Sequence, residues 1–273
     1  MSIFHTLASS AVHVKLPTEE IFSVGFLPIT NSMILGGLGI AIMVSVFVAA
    51  ARMIHRGEKN RFTGIVQWAF EGMYKTAFDI IPDKKVARSI APLALTIFFT
   101  ILATYWISII PGVGSIKIDG KEFLRGLPTD LNFTFALAII TMVAVQFYAI
   151  RHHGFFGNIK RYLINPIKNP IGAFEGFLEL IGELSRLVAL ALRLFGNAFA
   201  GEVLLMIVSV MSGYFASLSL PFFMAFELFI GFVQAYVFYM LTLIFASLAV
   251  QSHGSPNSSD HSSAVNKREN VAT

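Results

Sequence analysis

The strongest constraint on this chain is where its charges are missing. Residues 21–51 contain no Asp, Glu, Lys or Arg, and neither do 89–116, 131–150, 203–226 or 228–259. A helix needs about 20 consecutive apolar residues to cross a bilayer, because the hydrocarbon core is about 30 Å thick. The chain is 273 residues long, 55% hydrophobic and 13% charged, whereas a water-soluble domain carries about 25% charge. A disordered chain is excluded as well, since it needs few apolar residues. The sequence has no cysteine, which removes disulfide scaffolds and thiolate metal sites. A net charge of +4 does not argue for a nucleic-acid partner. What remains is an all-α, polytopic membrane protein with the lipid bilayer as its surroundings.

The charge-free runs place spans at 29–51, 89–110 and 131–150, and two more helices within 171–250, split near Gly213–Pro221. About five membrane helices therefore form one membrane domain, 29–250. Residues 1–28 are read as an N-terminal segment on the outer side and not as a cleaved leader, because the apolar core starts too far from the first residue. Between the first two spans, Phe62, Val66, Ala69, Phe70, Met73 and Ala77 recur at three- and four-residue steps. That periodicity predicts an amphipathic cytoplasmic helix, ended by Pro82. Residues 251–273 are rich in Ser, Asn and His and are expected to be a disordered cytoplasmic tail.

Lys and Arg set the orientation. Arg52, Arg56, Lys59, Arg61, Lys75, Lys84, Lys85, Arg88, Arg151, Lys160, Arg161, Lys168, Lys267 and Arg268 collect on one side. Only Lys15, Lys117, Lys121 and Arg125 fall on the other. The N-terminus is thus expected outside and the C-terminus in the cytoplasm, which an odd number of crossings satisfies.

The segment 171–212 breaks the pattern. It has no proline and can run as one helix of roughly 60 Å, so it must tilt strongly or leave the membrane. It carries Glu175, Glu179, Glu183, Arg186, Arg193 and Glu202. At about 100° per residue, the first five and Asn197 share one narrow stripe, and Glu202 lies on the opposite face. Charges in the hydrocarbon cost about 2.5–3.5 kcal/mol each on insertion scales and usually face a partner, a wet cavity or an ion path. Glu183 and Arg186 are spaced to pair within the helix. Arg193 has no carboxylate three or four residues away and cannot shed its proton. In the last helix, Glu227 and Gln234 are two turns apart on one face, and Gln234 is a candidate hydrogen-bond partner for Arg193 or for a bound water. The histidines at 152, 153, 253 and 261 make no metal-ligand pattern, and no phosphate-cradling Gly-x-x-x-x-Gly-Lys-Ser/Thr is present.

Leu192-Arg193-Leu194-Phe195-Gly196-Asn197, followed by Ala200-Gly201-Glu202, resembles the signature of subunit a of the F-type ATP synthase membrane sector. Ile90-Ala91-Pro92-Leu93-Ala94-Leu95-Thr96, Asp130-Leu131-Asn132-Phe133-Thr134 and Gln234-Ala235-Tyr236-Val237-Phe238 resemble the same family, over about residues 20–250. The resemblance implies a non-catalytic stator subunit in an energy-converting membrane, by default a bacterial inner membrane, with no cofactor. Its implied partners are a c-ring, whose carboxylates meet Arg193, and b-type peripheral stalk subunits. The implied cargo is a proton, moved through two offset half-channels. Asn197, Glu202, Glu227 and Asp130 would line the outer path, with Gln234 near Arg193, and Glu179 and Glu183 would line the exit. In the family the positions of Glu202 and Glu227 often hold one Glu and one His; here both are Glu. A secondary transporter with an anion-binding arginine would instead predict an inverted repeat and a broken helix, neither of which is evident. A mere membrane anchor leaves the line of charges unexplained.

Overall fold

The structure, a computed structural model, describes residues 20–24, 27–57, 60–113, 117–118, 121–154 and 170–251. The N-terminal segment before residue 20 and the tail from residue 252 onward lie outside the described residues. The chain opens with an antiparallel hairpin, β1 (Glu20–Val24) and β2 (Leu27–Thr30). Among the described residues six α-helices follow: α1 (Asn31–His55), α2 (Arg61–Ile80), α3 (Lys84–Ser108), α4 (Leu131–His153), α5 (Pro170–Ser212) and α6 (Ala216–Gln251). Between α3 and α4 sit a two-residue hairpin, β3 (Lys117–Ile118) and β4 (Lys121–Glu122), and a 3-10 turn, Leu127–Thr129. Among the described residues the fold is all-α apart from these two hairpins, which sequence periodicity did not signal.

Among the described residues, four stretches are long and apolar enough to cross a membrane: Asn31–His55, Lys84–Ser108, Leu131–Arg151 and Gly176–Val250. The last, 75 residues long, contains both α5 and α6. They are separated only by the 3-10 turn Gly213–Phe215, where Gly213 takes a φ of +49° that a side chain would resist. Pro221 lies within α6 and does not divide the two helices.

Helix ends follow local chemistry. Asp83 caps α3 by accepting from the Lys85 backbone N–H at 2.8 Å. Asp130 caps α4 in the same way through the Asn132 N–H, at 2.9 Å. The Asn60 N–H donates to Thr63 Oγ1 at 3.0 Å at the start of α2. On α2, Ala77 is buried and Val66, Ala69 and Met73 are half-buried, whereas Phe62 and Phe70 are exposed. Ile65 and Trp68 are exposed too. The Tyr239 hydroxyl donates to the Met73 carbonyl and ties α2 to α6.

The core lies where α3, α4, α5 and α6 meet. It is rich in alanine: Ala87, Ala91 and Ala94 from α3, Ala138 from α4, Ala191 from α5, Ala235 and Ala246 from α6. Small side chains let helix backbones approach closely, the main source of association where lipid is as apolar as the protein. Phe98, Ile101, Leu190, Leu194, Phe238 and Leu243 fill the gaps between them. Helix α1 packs outside, against α3 and the 3-10 turn. Gly36 faces Leu127 with no room for a Cβ, and a Cβ on Gly39 would meet Ile107 Cγ2 at 3.1 Å. The turn is thus pressed onto α1, and the Ser32 hydroxyl donates to Asp130 Oδ2 at 2.9 Å.

Candidate functional site: an ion path along α5 and α6

Helices α3, α5 and α6 and the loop before α4 enclose a cavity of about 380 Å³. Tyr105, Arg125, Glu202 and Glu227 all face it. Glu227 is only 3% exposed, and two glycines make that position available. A Cβ on Gly201 of α5 would collide with the Glu227 carboxylate, and a Cβ on Gly231 would strike the Tyr105 ring. With both Cβ atoms absent, the Tyr105 ring lies flat on α6 and its hydroxyl donates to Glu227 Oε1 at 2.5 Å. Glu202, one residue beyond Gly201, is 28% exposed and sits with Oε1 3.6 Å from Arg125 Nε. Arg125 itself is 5% exposed.

Below the cavity toward the N-terminal half of α5, Asn197 Nδ2 donates to Gln234 Oε1 at 2.6 Å. Gln234 therefore partners Asn197 and not Arg193. It is 2% exposed, and its Nε2 has no hydrogen-bond partner among the described residues. Arg193, one turn from Asn197, is exposed on the outer face of α5, flanked by exposed Ala189, Gly196 and Ala200. Among the described residues it carries no ion pair or hydrogen bond. The first α5 residue lining the cavity is Ala198, about 7–8 Å along the axis from Arg193.

Farther down α5, Glu183 Oε2 accepts from Gln146 Nε2 of α4 at 2.7 Å, and the Arg186 guanidinium lies 5.5 Å from the centre of the Phe245 ring. Glu179 is half-buried on the same helix. Asp130 is 7% exposed, but both its oxygens serve structure, one capping α4 and one bonding Ser32. It does not line the cavity.

The site residues thus gather into three groups along α5: Glu202 with Glu227 of α6 at the cavity, Asn197 with Gln234 of α6, and Glu183 with Gln146 of α4. Arg193 stands alone between the second and third. Reasoning from sequence alone missed Tyr105, Arg125 and Gln146. Tyr105 lies inside a charge-free run, and Arg125 reads as one more loop base. Only Arg125's place among few bases on the sparse side marks it.

The family model described as ATP synthase A chain matches residues 33–247. The chain belongs to the ATP synthase A chain family. A protein named ATP synthase subunit a from Psychromonas ingrahamii is 33% identical over 199 residues, covering 70% of this chain and 74% of that one. One of the same name from Stutzerimonas stutzeri is 32% identical over 222 residues, 78% of this chain and 75% of that one. A third, from Acinetobacter baumannii (strain SDF), is 29% identical over 257 residues, 86% and 87% of the two chains. The match to the A chain family runs from the third residue of α1 into the last turns of α6, so the cavity, the amide pair and Arg193 all fall within it.

Proposed function

We propose that this chain is the stator channel subunit of a rotary ATP synthase. It conducts protons to and from the carboxylates of a c-ring and does not itself make or cleave ATP. Five crossings, with α5 and α6 as separate and strongly tilted spans, put the N-terminus outside and the C-terminus in the cytoplasm of a bacterial inner membrane. The cavity of Glu202 and Glu227 is the outer half-channel. Glu183, Gln146 and Glu179 belong to the cytoplasmic exit. The b-type stalk subunits hold the stator against the rotating ring.

One observation supports this reading: Arg193 is a permanent cation in mid-helix, turned outward, with no partner among the described residues. An unanswered cation in the hydrocarbon is too costly to persist, so its anion must come from another chain. The small residues around it, Ala189, Gly196 and Ala200, suit the close approach of a partner helix. A fixed guanidinium facing a ring carboxylate favours its ionised form, so each carboxylate releases its proton before passing. The same charge repels protons and other cations and keeps the two half-channels from joining. The Asn197–Gln234 pair separates Arg193 from the cavity without adding a charge.

The test is ATP-driven acidification of inverted vesicles carrying the assembled complex. Arg193→Ala is expected to abolish pumping, while vesicles stripped of the catalytic sector stay leaky to protons. Normal pumping with Arg193 removed would return it to a packing or substrate-binding role.

A further inference from the structure

The two carboxylates of the cavity are held differently. Glu227 is wedged against Gly201, with the Tyr105 hydroxyl on Oε1 at 2.5 Å. Glu202 lies nearer the mouth, 3.6 Å from a guanidinium that is 5% exposed. That guanidinium comes from the loop between β4 and the 3-10 turn. The turn is clamped to α1 by Gly36 and by the Ser32–Asp130 bond, so the loop's position is fixed by the fold. An arginine stays charged at any accessible pH, and a buried charge demands a counter-ion. Two neighbouring carboxylates without a cation would compete for one proton and titrate as a pair. A cation on one of them makes the two unequal. The groups that face one another here are Tyr105 from α3, Arg125 from the loop, Glu202 from α5 and Glu227 from α6.

We propose that Arg125 is the positioning residue of the outer half-channel: it holds Glu202 in a standing ion pair, so that Glu227 alone carries the proton. This rests on the conduction function proposed above. A hydronium ion reaching the cavity gives its proton to Glu227 Oε2, forming the O–H bond and leaving water, while Oε1 keeps its bond from Tyr105. The proton then passes to a ring carboxylate, and Glu227 returns to its ionised form. Glu202 stays paired with Arg125 throughout and takes no part in the transfer.

The experiment compares Arg125→Gln, Arg125→Lys and Arg125→Gln/Glu202→Gln in the assembled complex, read as ATP-driven pumping in inverted vesicles. Arg125→Gln is expected to lower pumping by about tenfold or more. Arg125→Lys should recover most of it, because a cation returns. Adding Glu202→Gln to Arg125→Gln should also recover pumping, because no unanswered carboxylate remains. Normal pumping by Arg125→Gln, or no recovery in the double variant, overturns the proposal. If Arg125→Gln fails to assemble, assembly becomes the readout: a double variant that assembles supports the pair, and one that does not overturns it. Arg193→Ala in the same series separates the two failures. Pumping intact there sinks the conduction reading itself, whereas pumping lost there but normal in Arg125→Gln sinks only the role of Arg125.

Discussion

At the scale of single residues, the outer cavity depends on contacts with no spare room. Tyr105→Phe removes the hydroxyl that donates to Glu227 and leaves a buried carboxyl oxygen unanswered among the described residues, a loss of about 1–3 kcal/mol. The expected result is a lower unfolding temperature of the purified complex together with slower pumping. Unchanged values of both would show that the hydroxyl is dispensable. Gly201→Ala forces a methyl group into the space of the Glu227 carboxylate; overpacking of this kind costs about 1–3 kcal/mol, and it should displace Glu227 and cut pumping more than it cuts assembly. Gly196 is the contrast. A Cβ there meets nothing within 4 Å among the described residues, so Gly196→Leu should leave the subunit as stable as before. If a ring packs on this face, pumping falls nonetheless; pumping at the wild-type rate would argue that nothing docks there. These three positions separate groups that work inside the subunit from those that work across an interface.

At the scale of elements, helix existence was legible and helix company was not. The charge-free runs near residues 29, 89 and 131 became α1, α3 and α4, because an apolar run of that length has few alternatives. The 3-10 turn was invisible, since it is held by α1 pressing on Leu127 through Gly36, a contact made between residues far apart in sequence. The stripe on α5 was legible from its 100° spacing, with Arg193 and Asn197 on it and Glu202 on the opposite face. Which partner each side chain finds was not: Gln234 faces both Arg193 and Asn197 in any helical projection, and only packing selects Asn197. Asp130 illustrates the same limit, since a carboxylate that caps a helix and one that relays a proton look alike in sequence. The two roles part under substitution. Asparagine is as good a cap as aspartate, whereas alanine costs about 0.5–2 kcal/mol. As a cap, Asp130→Asn should retain stability and pumping and Asp130→Ala should lose stability. A relay would instead fail in both variants.

At the scale of the whole molecule, the absence of cysteine makes the proposed topology directly testable. Single cysteines at two exposed positions, Arg56→Cys after α1 and Tyr214→Cys between α5 and α6, should react with a membrane-impermeant maleimide from opposite sides. Position 56 is expected to label in inverted vesicles and position 214 in right-side-out vesicles. Labelling of both from one side would rule out the five-crossing arrangement. The alanine-lined seams among α3, α4, α5 and α6 have a mechanical consequence. A part that holds still while a rotor turns must take up the reaction load at every step. Long side chains yield by changing rotamer, but alanine has no rotamer to change, and close-packed interiors compress little. In the proposed stator role, load applied at Arg193 on α5 passes through Ala191 and Leu194 into the alanine-lined core shared with α3, α4 and α6, and that core yields little under it.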